Sequence, residues 1–409
     1  MTTHTPLMSV IIIVKDNEDL LPRAIESALA QTQDDFELVI INDGSTDSTG
    51  KIIDSFQKAD SRVKPHHLDT NIGRSSARNI GLDTSRGKYV TFLDADDYLP
   101  KTAIADLSST AEDNDADIVF GRIKAFNSET GEWIKGHYTD IFMTREHHGI
   151  EVNDLPELLH NHAIVGRCYR RDYIKKNNIR FSTKRRNAED VTFSFYSKFY
   201  AQRISIIPNS TVYFYSAGNF IITANRSKVE DARDSIIEIL DHVYQHAGDN
   251  IIETMQKKSA IFAGNLGRAK EVFGMTDELR NYLPSLVPLV NRASEELLDT
   301  LPPYYQRFAR AIRAYDFDRA FYLFENKNRF NNSDPIRNIS SSGSIAARNI
   351  ASRLKQLISQ NQRLANDVDA LYDSKSWVLT APLRAAIHIY RRIIGKLGNT
   401  YRRLVDKSK

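Results

Sequence analysis

The chain has 409 residues, 41% of them apolar and 26% charged, with a net charge of +3 at pH 7, which excludes a disordered chain and provides for about two to three domains with cores of their own. No unbroken apolar stretch is longer than Val10 to Val14, far short of the roughly 18 residues that a membrane-spanning helix needs, so no span is expected. A lone cysteine, Cys168, excludes an intrachain disulfide and a thiolate metal site, and fits a reducing cytoplasm, where the residue acts as a small apolar filler.

Met1 to Pro6 lacks the basic start of a secretory signal, and the apolar run that follows leads straight into Lys15-Asp16-Asn17-Glu18-Asp19, so export is not expected. Ser9 to Val14 reads as a buried strand, Leu20 to Ala30 as a helix and Phe36 to Ile41 as a second buried strand. With a further strand at Tyr89 to Leu93, the chain up to about Leu99 reads as repeated β-α units on a mostly parallel sheet. Ligands on such a sheet bind at the carboxyl ends of the strands. Helical periodicity takes over later, in Ile236-Ile237-Leu240-Val243 and from Tyr304 to Phe324. The division expected is 1–227 as an α/β domain, 228–330 as a helical domain, 331–344 as a Ser-rich linker, 345–373 as a heptad helix and 374–409 as a basic amphipathic tail. From Ile336 onward, 14 Lys and Arg stand against 4 Asp, a balance of +10 that leaves −7 for the rest. The two ends of the chain therefore face different partners.

Four segments could carry chemistry. Asp94-Ala95-Asp96-Asp97 follows the strand Gly87 to Leu93; strand alternation would point the carboxylates at i and i+2 the same way, where Mg²⁺ or Mn²⁺ could bridge them to a diphosphate. Alone, the run reads equally as a solvated acidic turn or a helix cap. Asn42-Asp43-Gly44-Ser45-Thr46-Asp47 follows the second strand, with Gly44 for a tight turn and Asp43 at the strand end. In the run Asn71 to Gly81, Arg74 and Arg78 lie four apart on one helical face, an arrangement suited to diphosphate oxygens and equally to surface ion pairs. Asn187-Ala188-Glu189-Asp190 supplies an acidic pair for acid-base work. No spacing between Arg122 and Val165 marks its histidines as a zinc site.

Taken in order, these segments resemble the family 2 glycosyltransferases of the GT-A fold, bacterial cell-surface polysaccharide type. The resemblance rests on Ser9-Val10-Ile11-Ile12 through Asp16, Ser27-x-Leu29-x-Gln31-Thr32, Phe36 through Asp47, Asn71-x-Gly73 with Ala77-Arg78-Asn79-x-Gly81, Gly87 through Asp97, and Glu189-Asp190. It covers about the first 220 residues. It implies an α/β GT-A nucleotide-diphospho-sugar transferase fold with a C-terminal helical domain. It also implies that Asp16 and Asp43 hold the nucleoside, that Asn71 and Arg78 line the nucleotide site, and that Asp94 contacts the ribose or sugar. Asp96, with Asp94, would bind Mn²⁺ or Mg²⁺ on the diphosphate. Asp190 would be the catalytic base, with Glu189 beside it. Ile13 replaces the family's usual proline, Lys15 stands where an aromatic residue often stacks on the base, and Asn42 replaces the first acid of an Asp-Asp pair. The Gln-x-x-Arg-Trp run of processive synthases is absent, the only tryptophans being Trp133 and Trp377, so a one-sugar or distributive enzyme is favoured.

The function expected is therefore inverting transfer of a sugar from a UDP-sugar or other nucleotide-sugar to a hydroxyl of a cell-surface glycan, a lipid-linked saccharide or a teichoic-acid-like acceptor. The alternatives are a non-catalytic sugar-nucleotide or glycan-binding module, and a nucleotidyltransferase, which would carry a glycine-rich basic loop not seen here. No nucleic-acid partner is indicated. Asp373 to Arg384 resembles a terminal motif of bacterial glycosyltransferases in cell-surface polysaccharide assembly. Beyond it, Leu383, Ile387, Ile394, Leu397, Tyr401 and Leu404 interleave with Arg391, Arg392, Lys396, Arg402 and Arg403. That pattern suits an anionic membrane or a helix docked on the chain's own acidic body, and places the protein in the cytoplasm at the inner face of the cell membrane. Ile350, Leu354, Leu357, Asn361, Leu364, Val368 and Leu371 hold a heptad register, with Leu354, Asn361 and Val368 at a, predicting a parallel homodimer through 350–371.

Overall fold

The computed structural model describes residues 4–137, 139–140, 143–217, 226–265, 272–274 and 276–325. The expectations for the linker, the heptad helix and the basic tail fall outside those residues.

Strands β1 (Met8–Val14), β2 (Phe36–Asn42), β3 (Val63–His67) and β4 (Tyr89–Phe92) pair in parallel, in the spatial order β3-β2-β1-β4. β1 and β2 are apolar along nearly their whole length because helices cover both faces of the sheet. Beyond β4 the sheet turns mixed. β7 (Arg167–Arg170) runs antiparallel between β4 and β5 (Ile118–Asn127), β5 pairs in parallel with β8 (Ile204–Ala217), and β6 (His147–Ile150) closes the edge.

Residues that alternate along β1 go to opposite cores. Val10, Ile12 and Val14 pack with α1 (Leu21–Leu29), and Ile11 packs on the other face under α3 (Arg74–Thr84). Two motif segments prove structural. Gln31 donates to the carbonyls of Ser27 and Pro100 and accepts from the Ile104 amide, while the Ser27 hydroxyl accepts from the Leu99 amide. Buried Glu37 accepts from the Ser9 hydroxyl and the Arg86 amide, and Ser9 accepts in turn from the Gly87 amide. The first clamp fixes the chain leaving β4 and the second fixes the chain entering it.

A third core is helical. Ile236, Ile239, Leu240 and Val243 of α7 (Arg226–His246) pack with Met255 and Ala260 of α8 (Asp249–Asn265), and Phe195 of α6 (Glu189–Phe199) joins the same core. The Tyr304 to Phe324 periodicity resolves into two helices, Pro303–Arg313 and Phe317–Glu325, broken where Tyr315 takes a left-handed backbone at φ 59°.

The packing of α3 on β1 sets the position of everything α3 carries. A Cβ at Gly81 would lie 2.5 Å from Cγ2 of Ile11, so the helix approaches the sheet as closely as it does only because the residue is glycine. Gly81→Ala should cost about 1–3 kcal/mol in urea unfolding, the usual range for overpacking. Unchanged stability would show that α3 can shift outward without strain.

Candidate active site

Two groups of side chains gather at the carboxyl edge of the parallel strands. The first joins the ends of β1 and β2. Asp16 leaves β1 with a left-handed backbone, φ 47°, and its Oδ1 accepts from the Thr46 amide at 2.7 Å, while its own amide donates to Ser45 Oγ at 3.0 Å. The hydrogen bond from Lys15, then that from the Thr46 amide, bring its pKa down to about 2, so it is ionised throughout the physiological range. Asp43 is buried, and its two oxygens accept from the amides of Ile72, at 2.7 Å, and Gly73, at 3.1 Å. A Cβ on Gly44 would come within 2.6 Å of the Asn71 nitrogen. The turn after β2 and the loop holding exposed Asn71 are thus pressed together. Asn42, in place of an acid, bonds to Nδ1 of His67 at 3.0 Å and accepts from the Ser45 amide.

The second group is centred on Arg78. Its guanidinium is buried, with Nη1 donating to Glu189 Oε1 at 2.7 Å and Nη2 to Asp94 Oδ1 at 3.4 Å, and it lies 5.3 Å from the centre of the Phe181 ring. Arg74, one turn earlier and exposed, reaches the same Glu189 oxygen at 3.5 Å. Asn79 holds the other side of this contact, exchanging hydrogen bonds with both backbone groups of Phe181. Phe181 stacks on Phe193 of α6 at 4.1 Å. Ala188, at the start of α6, has φ 56°, a left-handed conformation that costs a non-glycine residue roughly 1–2 kcal/mol. It sets Glu189 and Asp190 on the first turn of the helix. Burial, then the adjacent Glu189 charge, push Asp190 up to about 6 against the opposing pull of Arg78.

The acidic run after β4 differs from the sequence expectation. β4 ends at Phe92, and Asp94 to Asp97 form a turn closed by the Asp97 amide on the Asp94 carbonyl at 3.1 Å. Strand alternation therefore does not set the carboxylates, because the pairing with β1 stops before them. Tyr213 of β8 fixes the turn instead: its hydroxyl accepts from the Asp94 amide at 3.1 Å and donates to Asp97 Oδ2 at 2.7 Å. Asp97 also accepts from the Ser216 amide at 2.7 Å, and burial, then the Asp94 charge, push it up to about 8. Burial and Asp94 likewise hold Asp96 above its ordinary carboxylate value, as expected of clustered anions short of cations. Asp94 and Asp96 are hard oxygen donors whose crowding a divalent cation would relieve, so they fit Mg²⁺ or Mn²⁺. Among the described residues no group of three or more His, Cys, Asp or Glu is placed to hold a metal by itself.

The structure joins Arg78, Asp94 and Glu189 directly and places Asp190 and Asp96 next to them in sequence. It gathers Asp16, Asp43 and Asn71 about the neighbouring turns, with α3 running from the second loop to Arg78. Tyr213 and Asn79 carry much of this geometry; Asn79 stands in the run Ala77-Arg78-Asn79-x-Gly81 with no role assigned to it, and no spacing marked Tyr213. The signal for Tyr213 was a tyrosine at an inward strand position. A buried hydroxyl there must find partners.

Removing one partner of a buried ion pair costs about 3–5 kcal/mol. Arg78→Met and Glu189→Leu should each destabilise by that amount in chemical denaturation. The double mutant should lose less than the sum, and strict additivity would deny that the two residues interact.

Residues 9–178 match the family described as Glycosyl transferase family 2. Among curated proteins, the chain is 29% identical over 211 residues to the uncharacterized glycosyltransferase EpsJ of Bacillus subtilis, covering 51% of this chain and 61% of EpsJ. It is 27% identical over 260 residues to the poly(ribitol-phosphate) beta-N-acetylglucosaminyltransferase TarP of Staphylococcus aureus, covering 63% of this chain and 77% of TarP. Among solved structures, residues 1–349 of S. aureus TarS superpose with a TM-score of 0.66 at 20% identity, covering 78% of this chain and 90% of that one, and the same fragment is solved with UDP-GlcNAc. The matched segment and the sheet it builds make residues 9–178 a family 2 glycosyltransferase domain on the GT-A fold.

Proposed function

We propose that the protein is an inverting glycosyltransferase that moves a sugar from a UDP-sugar, or another nucleotide-sugar, to a hydroxyl of a cell-surface glycan. The observation that carries this reading is the Arg78 bridge, which brings the acidic turn after β4 and the Glu189-Asp190 pair to one place. TarS, which shares the fold, holds UDP-GlcNAc, and TarP carries the name of a sugar transferase acting on a wall polymer.

In this reading Asp16, Asp43 and Asn71 hold the nucleoside, Asp43 acting partly through the loop it fixes. Asp94 contacts the ribose or sugar. Asp96, with Asp94, would hold a divalent cation, which when bound supplies positive charge against the leaving diphosphate. Arg78 adds its own charge on the same side. Asp190 takes the proton of the acceptor hydroxyl as the new C–O bond forms at the anomeric carbon and the bond to the diphosphate oxygen breaks, its electron pair leaving with UDP. A single displacement inverts the anomeric centre. The pairing of Glu189 with Arg78 favours Asp190 over Glu189 as the base, since Glu189 is committed to a cation. Dimerisation through 350–371 and contact of the 374–409 tail with the inner face of the membrane belong to the same proposal, and rest on the heptad spacing and the interleaved basic residues.

Asp190→Asn should keep UDP-sugar affinity, read by calorimetry, and lose turnover by roughly 10²–10⁴. A base with a pKa near 6 accepts a proton only when deprotonated, so kcat should rise through about pH 6 and level off above pH 7. A profile flat from pH 5 to 8 would move the role away from Asp190. Asp96→Ala should abolish the Mn²⁺-dependent part of UDP binding, and equal affinity with and without Mn²⁺ in the wild-type protein would remove the cation from the mechanism.

A further inference from the structure

The described residues with large exposed apolar side chains are few, and Trp133, in the loop that follows β5, is one of them at 56% exposed. Trp133 bridges to Phe126 at the end of β5. Its indole leans on the ring of Phe214 at 5.0 Å and meets the Phe126 ring edge-on at 5.9 Å. Behind it Tyr98 packs on both Phe126 and Phe214. Arg23 lies over the rings of Tyr98 and Phe126, and its Nη2 donates to the Asp96 carbonyl at 2.6 Å. One continuous aromatic layer thus leads from Asp96 to an exposed indole.

The open groove at its end, about 260 Å³, is lined by Trp133, Ile134, His137, Arg122, Lys124 and Asp140 among others. Its charge is largely cancelled within the fold. Arg122 pairs with Asp140 at 3.0 Å and donates to the carbonyls of Pro208 and Met143. Burial, then the Arg167 charge, hold His137 down to about 4, so it is neutral at pH 7. Of the described lining residues, Lys124 is the one cation that a phosphate-rich polyol would find outside such a pair. A pyranose ring presents a flat C–H face that stacks on an indole, and its hydroxyls suit neutral polar neighbours.

We infer that Trp133 is the platform of an acceptor subsite that seats a pyranose ring, so that the acceptor is a cyclic saccharide and not an acyclic polyol phosphate. This rests on the glycosyltransferase reading for the word acceptor, and on the aromatic layer alone for the binding of a saccharide.

The test separates the two. In Trp377→Phe protein Trp133 is the sole indole, and cellobiose or N,N′-diacetylchitobiose at millimolar concentration should shift its emission, while ribitol 5-phosphate should not. Trp133→Ala should raise the KM of a saccharide acceptor by about tenfold or more with kcat little changed, Trp133→Phe should recover most of that loss, and UDP-sugar affinity should be the same in all three proteins. Because the indole is mostly exposed, its loss will not unfold the chain. No emission change with either disaccharide, or a stronger response to ribitol 5-phosphate, overturns the platform. A saccharide response in a protein that releases no UDP from any UDP-sugar supports the platform and defeats the transferase reading; UDP release with saccharide KM unmoved by Trp133→Ala does the reverse.

Discussion

A guanidinium that is taken out of water must be paid for by partners held in fixed positions, and Arg78 imposes that requirement on three separate parts of the chain. Its two carboxylate partners come from the turn after β4 and from the first turn of α6, 16 and 111 residues away. Breaking such a contact leaves a buried charge uncompensated, a far larger penalty than the loss of any exposed ion pair. The surrounding features make sense as consequences. Gly81 lets α3 approach β1, Asn79 holds the Phe181 backbone, Phe181 stacks on Phe193, and Ala188 accepts a left-handed backbone so that α6 begins where Glu189 can reach the guanidinium.

The same region concentrates negative charge. Asp94, Asp96, Asp97, Glu189 and Asp190 crowd about the carboxyl edge, and the fold handles them in different ways. Glu189 and Asp94 are paired with Arg78. Asp97 is sealed under Tyr213 and Ser216, with a pKa high enough to carry a proton at neutral pH. Asp96 and Asp190 keep raised values against the pull of Arg23 and Arg78, and among the described residues neither carboxylate forms an ion pair. Perturbed carboxyls that are not consumed by structural pairs are the ones available for chemistry, which is why the metal and base roles are proposed for these two.

Around this centre the loops are held by polar side chains that satisfy backbone groups. Gln31 and Ser27 fix the chain after the acidic turn, Glu37 and Ser9 fix the entry to β4, and Asp43 fixes the 71–73 loop through two backbone amides. A site at the end of a parallel sheet is built from loops, and loops keep their shape only when their backbone groups are satisfied. The likeness to TarS extends over most of the described chain, but it speaks to this scaffold. The exposed aromatic layer on β5 and β8 is a property of these side chains.

Local pattern was enough to determine much of this protein. Runs such as Val10 to Val14 and Phe36 to Ile41 read as strands covered on both faces, and turn chemistry at Asn42-Asp43-Gly44 places a loop at the carboxyl edge. Arg74 and Arg78 share a helical face by spacing alone, and both do reach Glu189. The sequence could not decide which acids would be paired, protonated or left available, since Asp94, Asp96, Asp97, Glu189 and Asp190 are alike as residue types. It could not show that the acidic run lies in a turn hung from Tyr213, nor that Arg23 would join the Asp96 carbonyl to the rings of Tyr98 and Phe126, on the second of which Trp133 packs. Hydrophobic period and turn preference act over a few residues and are written in order along the chain. Charge state and substrate contact depend on burial and on partners more than a hundred residues away, and only the tertiary fold brings those together.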